Sequence, residues 1–131
     1  MNQLQPHPLA ILVRNAAALR NWAHGQQSGE SSQALGALGE IVAAMHLKAD
    51  VVSHEINSYD LVAGSTRIEV KTNGGRMSGS KDCELVARVE VAASADGGVS
   101  VESISTRPHP DPADGHSHWA RLPNFKSFRV L

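Results

Sequence analysis

Apolar residues recur along the start of the chain with a helical period. Leu9, Leu12, Ala16, Leu19 and Trp22 fall on one side of an α-helix at i, i+3, i+7, i+10 and i+13. Arg14, Asn15, Arg20 and Asn21 supply the polar side. Pro6 and Pro8 sit where a helix can begin, and Gly25 suits its end. A polar linker, Gln26 to Glu30, precedes a second predicted helix. The hydroxyl of Ser31 or Ser32 can cap its start. Leu35, Leu38, Val42 and Met45 repeat the helical spacing, and Lys48 complements the dipole at the C-terminal end.

The period then drops to two. Val52, His54 and Ile56 alternate with Ser53 and Glu55, which predicts a short strand. Tyr59–Ala63 and Thr66–Thr72 read as strands joined at Gly64-Ser65, and glycine at the first central position suits a type II′ hairpin turn. Residues 73–82 are rich in Gly and Ser and read as a loop. Glu84–Ala93 and Val99–Thr106 predict a further hairpin, turning at Asp96-Gly97-Gly98. Arg107–Asn124 carries four prolines and several histidines and reads as irregular, with a last strand over Ser127–Leu131. The fold class expected is α/β, with two N-terminal helices packed on a mixed, largely antiparallel sheet.

Bulk properties narrow the function only slightly. A length of 131 residues fits one domain over 1–131. The 41% hydrophobic content supports a core, and the 4% aromatic content leaves that core to Leu, Val, Ile and Ala. No apolar run is long enough to span a membrane, and Met1–Pro8 lacks the order of a signal peptide. Cys83 is the single cysteine, so no internal disulfide forms and a cytoplasmic location is expected. The formal charge of −1 gives no bulk attraction for a polyanion. A few clustered cations can still hold phosphates while acids elsewhere cancel the sum.

The first hairpin carries the candidate chemistry. With Gly64-Ser65 as the turn, Ala63 faces Thr66, Val62 faces Arg67, Leu61 faces Ile68 and Asp60 faces Glu69. Opposed side chains share a side of the sheet, as do residues two apart. One face then holds Asp60, Arg67, Glu69 and Lys71, and the other holds Leu61, Ile68 and Val70. Adjacent carboxylates repel unless a cation offsets them. Mg²⁺, with its preference for carboxylate, water and phosphate oxygens, would do so. Lys71 is placed to hold an attacking water or to neutralise a phosphate. Glu40, on the second helix, is flanked at i±3 and i±4 by Gly36, Ala37, Ala43 and Ala44. These small residues let the helix approach a sheet closely, so Glu40 is expected to reach the ion directly or through water.

A helix with Gly39-Glu40, a strand entered at Asp60, and Ile68-Glu69-Val70-Lys71 on the next strand resemble the PD-(D/E)XK nuclease superfamily, the restriction-endonuclease-like fold. The resemblance implies that Asp60, Glu69 and the main-chain carbonyl of Val70 bind the metal. Lys71 assists the nucleophilic water, and Glu40 is the helical acid. It implies a Mg²⁺-dependent endonuclease, with Mn²⁺ as a substitute, that hydrolyses DNA phosphodiesters and leaves a 5′-phosphate; RNA stays open as a substrate. So small a domain is expected to work as a homodimer or with a partner chain. Leu12, Leu19 and Trp22 are the candidate dimer surface, with burial inside the monomer as the alternative. The family has Pro where Tyr59 stands, and it follows the Lys strand with a helix and another strand where a loop and hairpin are predicted.

Other features carry less. Arg67 lies near the turn and either pairs locally or meets phosphate. Arg76 and Lys81 flank the loop beyond Lys71 as candidate phosphate contacts. Gly74–Lys81 lacks the Gly-Lys-Ser/Thr order of a phosphate-binding loop. His109, His116 and His118 match no structural zinc spacing, and Cys83 lacks a His or Asn partner at a known nucleophile spacing. The alternative to catalysis is a nucleic-acid-binding or scaffold module that keeps the nuclease-like fold without turnover. A third class is a protein-interaction domain whose acids only solvate a sheet face.

Overall fold

The computed structural model describes residues 8–26, 28–52, 58–74, 82–109 and 119–131, with side chains from Asn15 onward. Helices α1 (Pro8–Ala23) and α2 (Gly29–Leu47) precede strands β1 (Asp50–Val51), β2 (Leu61–Ala63), β3 (Thr66–Thr72), β4 (Leu85–Ala93), β5 (Val99–Pro108), β6 (Ala120–Arg121) and β7 (Phe128–Arg129). They form one mixed sheet in the order β1-β2-β3-β4-β5-β6, with β7 beside β5. The β3–β4 pair is parallel and the other pairs are antiparallel. Residues 73–84 connect the parallel pair, a length that such a crossover requires. Among the described residues no helix is long and apolar enough to cross a membrane.

Helix α2 begins one turn earlier than the sequence predicts. Ser28 is its N-cap, accepting from the Ser31 N–H at 3.1 Å, while the Ser31 hydroxyl accepts from the Ser28 N–H at 2.9 Å. This reciprocal pair satisfies two backbone donors at the helix start. The buried stripe of α2 is also rotated from the expected one. Ala34, Gly39, Val42 and Ala43 are buried, whereas Met45 is 70% exposed and Leu35 and Leu38 are half-buried. The reason is close approach. A Cβ on Gly39 would lie 1.9 Å from Thr72 Oγ1 of β3, so the helix seats closely on the sheet at Gly39, with Ile41 and Met45 left exposed.

The helices cover the face of the sheet that carries Leu61, Ile68, Val70, Ala87, Val89, Val101 and Ile104. Leu19 of α1 is buried and Trp22 packs on the same core. Of the candidate dimer surface, Leu19 and Trp22 therefore contribute to the monomer's interior, and the Leu12 side chain lies outside the described residues.

Three other expectations shift. A strand, β1, covers Asp50–Val51 just before the one predicted over Val52–Ile56, of which positions 53–56 lie outside the described residues. The β4–β5 hairpin forms as predicted but bulges between Glu90 and Val91. The Arg107–Asn124 stretch contains a strand, β6, because Ser105 and Thr106 of β5 offer an edge on which Arg121 and Ala120 pair.

Candidate active site

Gly64 turns the β2–β3 hairpin with φ 61°, a value that favours glycine. The register is the one counted from the sequence: Leu61↔Ile68, Val62↔Arg67 and Ala63↔Thr66. Asp60 lies just outside this ladder. Its N–H donates to the Ile68 carbonyl at 3.0 Å, although Ile68 already faces Leu61. The expected regular pairing of Asp60 with Glu69 is thus replaced by a slip at the strand entry.

That slip has a consequence for β3. Beyond Ile68 the edge of β3 has no β2 partner, so the Val70 N–H needs another acceptor. Asp60 Oδ2 supplies it at 2.8 Å, in a buried bond. A strand residue aims its N–H and C=O to the same side. The Val70 carbonyl therefore faces the open edge beside Asp60. At the far end of β3, Asn73 adopts φ 59°, donates its N–H to the Val89 carbonyl at 2.8 Å and accepts from the Val91 N–H at 2.6 Å. These bonds to the bulged strand fix the end of β3 just past Lys71.

A cleft of about 390 Å³ opens at this edge between α2 and β3. Glu40, Asp60, Glu69, Val70 and Lys71 line it, together with Ser32, Gly36 and Thr72. The structure thus brings Glu40, Asp60, Glu69, Val70 and Lys71 to one place. Asp60 is 8% and Glu69 6% exposed, which is unusual for carboxylates. Lys71 Nζ lies 3.7 Å from Glu69 Oε1. Among the described residues no three His, Cys, Asp or Glu side chains gather closely enough to hold an ion together. Asp60, Glu69 and Glu40 all line the cleft.

Arg67 is engaged elsewhere. Its Nε donates to Glu84 Oε2 at 2.9 Å, its NH2 group is ion-paired with the same oxygen, and its guanidinium lies 5.9 Å from the Tyr59 ring centre. Glu84, which also accepts from the Arg67 backbone N–H at 2.9 Å, is held below the usual carboxylate range by these contacts. The pair clamps the start of β4 to β3, and the sequence alone offers no signal that Glu84 would take this arginine. Arg76 and Lys81 lie outside the described residues, as do His116 and His118. Cys83 is buried; burial pushes its thiol up, and the nearby Glu69 charge adds to this.

The sequence reading gives no role to Trp119, which lies within the proline- and histidine-rich stretch. Its ring lies 4.4 Å from the Arg88 guanidinium and 5.1 Å from that of Arg107. No known protein family's profile matches the chain, and no curated protein is significantly similar to it.

Proposed function

We propose that this chain is a metal-dependent nuclease of the restriction-endonuclease-like fold, hydrolysing phosphodiester bonds of DNA. The observation that carries the proposal is the shared cleft: two buried carboxylates, the outward Val70 carbonyl, an ammonium and a helical acid line one opening at a strand edge. Support also comes from the order of elements. A helix bearing Glu40, an acid at the entry to β2 and Glu-x-Lys on β3 follow the PD-(D/E)XK arrangement, and β4 then lies alongside the Lys strand.

The donor set suits a hard divalent ion, because each donor is oxygen. Asp60, Glu69 and the Val70 carbonyl would hold Mg²⁺ or Mn²⁺. The ion would supply Lewis-acid activation of water and neutralisation of phosphate charge. Lys71, beside Glu69, can fix a water by donating to it and can face a phosphate oxygen. Glu40 orients water on the helix side of the cleft. The bond between Asp60 and the Val70 N–H sets the carboxylate and the carbonyl side by side.

The test is incubation of the purified protein with linear, nicked, branched and single-stranded DNA in Mg²⁺, Mn²⁺ or chelator. Cleavage that requires metal and falls by about 10²-fold or more in both Glu69→Ala and Lys71→Ala is the expected result. Metal-independent cleavage, or cleavage untouched by either change, overturns it. The second reading is a nucleic-acid-binding module that keeps the fold without turnover. DNA binding without cleavage in any metal is its signature.

A further inference from the structure

The face of the sheet turned away from the helices carries a row of residues in strict register. Lys71 of β3 pairs with Arg88 of β4, Arg88 with Ser105 of β5, and Ser105 with Arg121 of β6. Paired residues project to the same side, so these four side chains cross the sheet in line. At a strand spacing of about 4.8 Å, the row spans roughly 14 Å. Next to it, Glu69 pairs with Val86 and Val86 with Arg107. Trp119 lies at the end of this second row, against both Arg107 and Arg88. The two rows hold four cations, Lys71, Arg88, Arg107 and Arg121, against one carboxylate, Glu69. Glu90, one row further, pairs with Arg88 Nε at 3.2 Å. Arg121 is exposed and Trp119 half-buried, while Ser105 is buried beneath them.

We propose that this surface is a track for a single nucleic-acid strand that leaves the cleft at Lys71 and crosses β4, β5 and β6 over Arg88 and Arg121, with an unpaired base stacked on Trp119. The inference rests on the nuclease reading for its starting point, because Lys71 both lines the cleft and begins the row. Three physical features select the occupant. The row sets Lys71, Arg88 and Arg121 in line, and phosphates of a phosphodiester backbone would replace the carboxylates of Glu69 and Glu90 that now pair with the first two. An indole held by guanidinium groups is a flat, rigid platform, and stacking on such a platform accepts any base. A flexible single strand can lie flat across a sheet face and offer its unpaired bases to an aromatic ring, which a duplex, with its bases stacked inside, does not. The near-neutral net charge also fits a local track better than general polyanion binding.

The experiment is fluorescence anisotropy of a labelled oligothymidylate of about 16 nucleotides and of a duplex of equal length, in chelator so that no cleavage intervenes. A salt series is recorded for each protein, and indole fluorescence is followed in parallel. The variants are Arg121→Glu, Arg88→Gln and Trp119→Leu, each checked for native circular dichroism. The wild type is expected to prefer the single strand. Arg121→Glu should weaken binding about tenfold or more. Arg88→Gln should lower the magnitude of the salt slope by about 0.7 for its lost phosphate contact. Oligothymidylate should quench indole fluorescence in the wild type and not in folded Trp119→Leu. Wild-type affinity and slope in folded Arg121→Glu and Trp119→Leu overturn the track, as does preference for duplex, or equal affinity for polyglutamate without quenching. The cleavage assay is read separately. Loss of binding in the row variants of a protein that never cleaves leaves the track standing and removes the nuclease. Cleavage with unaltered binding in those variants does the reverse.

Discussion

Asp60 holds two jobs: it lines the cleft, and its side chain satisfies the Val70 N–H. The second job makes its replacement costly. Asp60→Ala leaves a buried donor without its partner, a loss of about 1–3 kcal/mol. Asp60→Asn keeps an acceptor oxygen while removing the charge. Urea unfolding should therefore show a clearly lowered midpoint for Asp60→Ala and a near-native one for Asp60→Asn, which makes the latter the cleaner variant for metal and cleavage assays. Asp96, at the β4–β5 turn, makes a prediction about acid. The Ser94 hydroxyl, the Gly98 N–H and the Arg129 guanidinium all donate to it, and its carboxyl is lowered from 3.8 to about 2. A folded value below the ordinary one means that ionised Asp96 stabilises the native state above about pH 4. That contribution is lost as pH falls toward about 2. Thermal midpoints of wild type and Asp96→Asn should thus differ at neutral pH and converge across that window.

At the scale of elements, the cleft exists because β2 is short and α2 comes close. The ladder between β2 and β3 ends at Leu61↔Ile68, so Glu69 to Thr72 lie on an edge that β2 leaves open. Helix α2 seats on that stretch through Gly39, against the Thr72 side chain. Gly39→Ala should cost about 1–3 kcal/mol by overpacking. Because the nearest atom is Thr72 Oγ1, adding Thr72→Ala should restore part of the loss. A double-mutant cycle by chemical denaturation measures this coupling, and strict additivity would show that the helix seats elsewhere. The capping box of Ser28 and Ser31 fixes where α2 begins, and so which side of the helix Glu40 leaves from.

For the whole molecule, a bound ion and folding are linked. An ion held by Asp60, Glu69 and the Val70 carbonyl binds only the folded chain. At ten times its dissociation constant it should add about 1.4 kcal/mol of stability. Differential scanning fluorimetry should show a midpoint raised by a few degrees in Mg²⁺ or Mn²⁺, and no rise in Asp60→Asn or Glu69→Ala. An equal rise in these variants would place the ion elsewhere. Much of the architecture was legible beforehand because it is local. Helical spacing placed α1 and most of α2, Gly64-Ser65 fixed the register of the first hairpin, and alternation separated the apolar face of β3 from the face bearing Glu69 and Lys71. Those features follow from side-chain period and turn chemistry, which involve near neighbours. The parallel β3–β4 pairing, the short β6, the slip at Asp60, the choice of Glu84 by Arg67 and the line from Lys71 to Arg121 were not legible. Each joins residues distant in the chain. Only packing decides which distant edges meet, since many pairings satisfy the same local pattern.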